Sequence, residues 1–104
     1  MQLIGSKQDF IDRDRYEISI EAVNYLLINQ SGKYYLLVNQ CGHFGVSLLD
    51  AELELNTIIC SGHGISFDLT TGEIINRPYE NCDKLKTYEV KEIDGQLYFD
   101  LMKS

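Results

Sequence analysis

Apolar and polar positions alternate along much of this chain with a period of two. Arg15-Tyr16-Glu17-Ile18-Ser19-Ile20-Glu21 alternates strictly and predicts a strand with one buried face. Residues 25–28 form a short apolar run, and Asn29-Gln30-Ser31-Gly32 reads as a turn. Residues 33–38 are rich in β-formers and predict a returning strand, so the three segments make an antiparallel meander. Residues 1–12 predict an edge strand and then a polar turn with Asp9 and Asp12. Thr57-Ile58-Ile59 predicts a buried strand. Residues 65–69 and 73–76 flank Thr71-Gly72 as a hairpin, and residues 86–93 and 96–101 flank Asp94-Gly95 as another. Helical period is missing except for one turn near 48–53. No repeat or low-complexity segment breaks the pattern. Short strands closed by turns predict an all-β fold, a small antiparallel sandwich or barrel.

The stretch from Cys41 to Asp68 carries a different signal. It opens with Cys41-Gly42-His43-Phe44-Gly45 and ends with Cys60-Ser61-Gly62-His63-Gly64-Ile65-Ser66-Phe67-Asp68. Both histidines of the chain and two of its three cysteines fall here. Thiolate plus imidazole is a ligand set for zinc, iron or an iron–sulfur cluster. Zinc sites usually pair like ligands, Cys with Cys and His with His. Here each loop mixes the two, which suits a centre with two unlike metal positions. One iron takes both thiolates and the other both imidazoles in a Rieske [2Fe–2S] centre. A structural zinc site is the competing reading, and four unconnected core side chains the plainer one.

At these residues the chain resembles the Rieske-type ferredoxins. The resemblance rests on Cys41-x-His43-x-Gly45, Leu48, Cys60-x-x-His63-Gly64-x-x-Phe67-Asp68 and Thr71-Gly72. It extends through Pro78, Leu85, Tyr88, Val90 and the Asp94-Gly95 turn, so it covers roughly residues 34–100. It implies an all-β, Rieske-like antiparallel β-sandwich base with a small cluster-binding subdomain, about 39–68, inserted in a single domain spanning 1–104. It also implies one [2Fe–2S] cluster, with Cys41 and Cys60 as thiolate ligands of the inner iron and His43 and His63 as ligands of the outer iron. Gly45, Gly62 and Gly64 would let loop amides approach the sulfides. Arg77-Pro78-Tyr79 matches a proline loop that shields the cluster. Cys82 reads as a small buried residue and not a ligand.

Two positions bear on the potential. High-potential relatives resemble each other in placing a Ser hydroxyl after the second His-Gly and a Tyr hydroxyl two residues later. Here those positions hold Ile65 and Phe67. The extra disulfide of that class would need cysteines where Val46 and Gly62 stand. The expectation is a potential at the low end of the Rieske range, about −150 mV. The chain departs from many relatives in having Cys60-Ser61-Gly62-His63 in place of Cys-Pro-x-His, and in lacking the usual glycines across 51–56.

Composition bounds the function. The 104 residues suit one domain with a limited core, which a metal staple would help to hold. Nine basic against 16 acidic residues give a net charge of −7. This argues against nucleic acid and anionic membranes as partners and favours partners with a basic patch. The cluster core and its two thiolates cancel, so the loaded protein stays near the same charge oxidised and gains one negative charge when reduced. Three cysteines with no signal-like start do not make a disulfide framework. The respiratory Rieske subunits carry a membrane anchor. None is expected here, since apolar runs such as 34–38 are far too short to span a bilayer. The expectation is a soluble cytoplasmic protein.

No general base, nucleophile or substrate pocket emerges from the remaining residues. Asp68 reads as structural, and Glu52 and Glu54 as a solvated strand or loop edge. The resemblance implies an electron-transfer component and not an enzyme. Such a carrier passes one electron from an NAD(P)H-dependent flavoprotein reductase to a terminal oxygenase, either an aromatic-ring dioxygenase of hydrocarbon catabolism or a diiron monooxygenase. Both partners would dock at the His43/His63 tip. The alternatives are a Rieske-like small subunit of an assimilatory nitrite reductase and a zinc-stabilised binding module.

Overall fold

The computed structural model describes residues 1–40, 48–60, 64–75 and 84–100. Nine strands are found among them: β1 (Gln2–Ser6), β2 (Arg15–Ile20), β3 (Val23–Gln30), β4 (Lys33–Val38), β5 (Glu52–Glu54), β6 (Thr57–Ile59), β7 (Ser66–Asp68), β8 (Thr87–Ile93) and β9 (Gln96–Phe99). A 3-10 turn at Lys7–Phe10 follows β1. Six strands run in the order β1-β9-β8-β4-β3-β2, and three more in the order β5-β6-β7. All the pairings are antiparallel.

The six-stranded sheet folds over on β8. Its first residues, Thr87 to Glu89, pair with β4, and Val90 to Ile93 pair with β9. One face therefore closes on itself. Tyr25, Leu27, Leu36, Leu97 and Phe99 fill the space, with Tyr16, Ile18 and Ile20 of β2 packed against them. The Tyr25, Tyr88 and Phe99 rings meet edge to face at 5.2–5.8 Å. This is the sandwich base.

The apolar run in β3 now has a cause. Tyr25 and Leu27 point into the base, while Leu26 and Ile28 point the other way. Tyr35 and Leu37 of β4 join them on that second face. There they meet Leu48, Ile58, Cys60, Ile65, Phe67, Leu69 and Leu85 in a second core. A strand buried on both faces has no polar face to alternate with.

The predicted meander, the buried strand at 57–59 and the Asp94-Gly95 hairpin are all present. Among the described residues the hairpin at Thr71-Gly72 consists of β7, a turn and one bridge, Phe67 to Ile74; residue 76 of its expected second strand lies outside them. The turn predicted at 29–32 is shorter. Asn29 and Gln30 stay in β3, and only Ser31 and Gly32 turn, both at positive φ. The helical turn near 48–53 is not found. The chain makes a simple turn at 49–50 and then enters β5, because β6 supplies a pairing edge.

Two backbone positions make opposite demands. Glu21 and Ala22 close the β2–β3 hairpin at φ 50° and 67°, a left-handed turn that favours Gly or Asn. Gly72 lies at φ 78°, and a Cβ there would stand 2.1 Å from the Leu85 carbonyl oxygen. Replacing Ala22 by Gly should raise the unfolding free energy by about 0.5–1 kcal/mol in a denaturant titration. Gly72→Ala should lower it by about 2–4 kcal/mol, since both the backbone angle and the Leu85 contact oppose a side chain.

Candidate metal centre

Of the four ligands expected from the sequence, Cys60 is described. Cys41, His43 and His63 lie outside the described residues, as do Gly45, Gly62, Pro78 and Cys82. Cys60 follows directly on β6 and is 2% exposed, within the second core. Its N–H donates to the Ile65 carbonyl at 2.9 Å, and its carbonyl accepts from the Gly64 N–H at 3.0 Å. The two bonds join the ends of segment 61–63. Gly64 sits at φ 68°, where any side chain would be strained although the space is open.

The flanks of all three undescribed internal segments converge on the same core. Leu48 follows 41–47, Cys60 and Ile65 bracket 61–63, and Leu85 lies just beyond 76–83. Ile74 packs against the cluster just ahead of that last segment. Each segment is tied at its base. Asn39 Oδ1 accepts from the Leu48 N–H at 2.7 Å across the first. The Cys60 backbone closes the second. The Leu85 N–H donates to the Gly72 carbonyl at 2.8 Å beside the third. Asp68 holds the turn before Gly72, accepting from the Thr70 and Thr71 N–H groups at 2.7 and 3.1 Å. Its role is structural, as the sequence suggests.

Sequence reasoning missed the residues that fix the insert to the base. Arg15 of β2 donates from Nη1 to the carbonyls of Leu49 and Ala51. Its guanidinium also bonds Asp14 and holds that carboxyl below its ordinary pKa. Gln30 donates to the Glu54 carbonyl and accepts from the Asn56 N–H. The Tyr35 hydroxyl donates to Asn56 Oδ1 at 2.6 Å. Strict alternation in β2 makes Arg15 and Glu17 look like solvent-facing positions, and Glu17 is exposed, but nothing in their order tells that a second layer half-covers Arg15.

The donor chemistry fits the expected group. A cysteine sulfur is a soft donor suited to iron or an iron–sulfur cluster, and Cys60 offers one at the end of β6 within the apolar core. Among the described residues, no three His, Cys, Asp or Glu side chains gather into another metal site. A cleft of about 910 Å³ opens where β8 parts from β4, lined by Lys33, Lys84, Lys86 and Lys91 but also by Glu89, Glu92 and Asp100. Cys60 does not line it, and its mixed charge matches no single ligand class.

Ile65 and Phe67 are both fully buried in the second core. The positions that carry hydroxyls in high-potential relatives are therefore occupied here by packed hydrocarbon.

Known proteins agree with this architecture. Human apoptosis-inducing factor 3 is 28% identical over 82 residues, 79% of this chain but 13% of that protein. The chain thus spans about an eighth of that relative's length. The ferredoxin component of the naphthalene 1,2-dioxygenase system of Pseudomonas putida is 29% identical over 93 residues, covering 89% of this chain and 88% of that one. The solved Sphingomonas yanoikuyae B1 ferredoxin superposes with a TM-score of 0.79 at 27% identity, over 96% of both chains. A chain in the complex of reduced oxygenase and oxidized ferredoxin in carbazole 1,9a-dioxygenase matches with a TM-score of 0.78 at 21% identity, covering 94% of this chain and 99% of that one, and shows the shared fold. No helix among the described residues is long and apolar enough to cross a membrane. The family described as Rieske [2Fe–2S] domain matches residues 1–89. With the inserted three-stranded layer, the buried Cys60 and this match over most of its length, the chain belongs to the Rieske [2Fe–2S] domain family.

Proposed function

We propose that this chain is a one-electron carrier, the ferredoxin component of a multicomponent oxygenase system. The observation that carries the reading is the near end-to-end likeness to a dioxygenase-system ferredoxin, 89% of one chain against 88% of the other. The first relative, by contrast, shares only the domain. Cys41 and Cys60 would hold one iron as thiolates, and His43 and His63 the other as neutral imidazoles. When bound, the cluster supplies a centre that is reduced and reoxidised by one electron. The residues of the chain do the rest. Cys60 is presented from the end of a paired strand, so its position is set by β6 and by the Ile65 and Gly64 backbone. Ile65 and Phe67 exclude water and offer no hydroxyl. The outward ring N–H groups of His43 and His63 would donate to a partner surface.

The partners in this reading are an NAD(P)H-dependent flavoprotein reductase and a terminal oxygenase, each docking at the His43/His63 tip. The −7 charge favours a basic docking face on both. Association should therefore slow as ionic strength rises.

Anaerobically isolated protein should be red-brown, contain iron and acid-labile sulfide, and give a low-average-g EPR signal after dithionite reduction. A colourless zinc protein would reject the assignment, and co-purification with a sirohaem subunit would favour a nitrite reductase component. Cys60→Ser, and separately His63→Ala, should abolish the optical bands. The potential should lie near −150 mV in a redox titration. Phe67→Tyr should raise it, because a hydroxyl there can donate toward the reduced centre.

A further inference from the structure

The three segment closures differ in kind. The second and third are made by backbone groups, Cys60 with Gly64 and Ile65, and Gly72 with Leu85. They do not depend directly on a side-chain functional group. The first is made by a side chain. Asn39 stands just after β4 and is 5% exposed. Its Oδ1 takes the Leu48 N–H at 2.7 Å in a buried bond. Its Nδ2 donates to Glu17 Oε2 on β2 at 3.3 Å. Its own N–H donates to the Asn24 carbonyl at 2.9 Å, which anchors it to β3. One residue thus bonds Leu48, at the far end of segment 41–47, and two strands of the base, β2 through its side-chain amide and β3 through its backbone.

We propose that Asn39 is a positioning residue for the loop that carries Cys41 and His43, a role that rests on the ligand reading above. The physical reason is the geometry of closure. Segment 41–47 leaves β4 two residues after Asn39 and re-enters the described chain at Leu48. Fixing Leu48 to Asn39 sets the distance between the loop's ends and so narrows the conformations its donors can sample. Without Oδ1 the Leu48 N–H loses its partner inside the core. Glu17 orients the amide. A carboxylate accepts only, so it must face Nδ2, and Oδ1 is then turned toward Leu48.

The sequence pattern cannot separate this role from ordinary turn chemistry, since Asn39 sits where a strand ends. Its burial and its side-chain bonds to Leu48 and Glu17 do so. The opposite sides of the amide serve different elements, which a turn-forming asparagine does not require.

The test uses the full-length holo-protein and four variants. Asn39→Leu removes the bonds to Leu48 and Glu17 at similar size. Asn39→Asp keeps the acceptor for Leu48 but sets a carboxylate against Glu17. The double variant Asn39→Asp with Glu17→Gln restores a donor–acceptor pair with the roles exchanged. Cys41→Ser reports on the ligand reading. Cluster loss to a chelator and the EPR line shape are measured for each. Asn39→Leu should lose the cluster at least tenfold faster and broaden the EPR lines. Asn39→Asp should fall between it and the wild type. The double variant should return to within about twofold of the wild-type rate. If Asn39→Leu lowers only the thermal midpoint and leaves line shape and loss rate unchanged, Asn39 is a structural residue and the proposal fails. The proposal also fails if the double variant is no better than Asn39→Asp. If Cys41→Ser keeps the cluster, the ligand reading fails first and the positioning role falls with it. That result is distinct, because it does not involve Asn39.

Discussion

Two-sided burial of the β3–β4 hairpin is the constraint on which the rest of this molecule depends. Its residues alternate between two cores, one inside the folded six-stranded sheet and one beneath the three-stranded layer. Leu26, Leu27, Leu36 and Leu37 are fully buried, two in each direction. Each fully buried aliphatic side chain contributes about 1.5–3 kcal/mol of transfer free energy. The hairpin is thus a shared wall, and a small insert with three-residue strands gains a core that it could not build alone.

Polar bonds then decide how the insert sits on that wall. Hydrophobic contact is not directional, so it leaves the layer free to slide. Arg15 to the Leu49 and Ala51 carbonyls, Gln30 to Glu54 and Asn56, and Tyr35 to Asn56 remove that freedom. Each bond contributes about 0.5–1.5 kcal/mol net. Their larger effect is on register. A redox centre must keep its geometry in both oxidation states, and rigid strands with a fixed seat provide it better than loops would. Electron transfer between proteins also needs a repeatable docking distance, which a sliding layer would spoil.

The same layering bears on the redox chemistry. Filling the Ile65 and Phe67 positions with packed hydrocarbon makes the second core tight and withholds hydroxyl donors from this part of the site. The same two side chains thus fill the core of the insert and leave these positions without a hydroxyl.

Local order in the chain was enough for the strands of the base, the Asp94-Gly95 turn, the structural role of Asp68 and the family. Those follow from period, from turn chemistry and from the double Cys/His box, all of which act between near neighbours. Adjacent residues could not disclose the β2–β3 turn, because Glu21 and Ala22 have no preference for positive φ and are held there by the strands they join. Adjacent residues left β5 open: Glu52 and Glu54 read as a solvated strand or loop edge, and only the β6 neighbour makes them the exposed residues of an edge strand. The seat of the insert belongs to the folded molecule alone. Arg15, Gln30 and Asn39 look like solvated polar positions until a layer distant in sequence arrives over them. Contact between residues far apart along a chain leaves no periodic trace in either segment, so only the assembled structure could decide which polar side chains face water and which lie beneath the second layer.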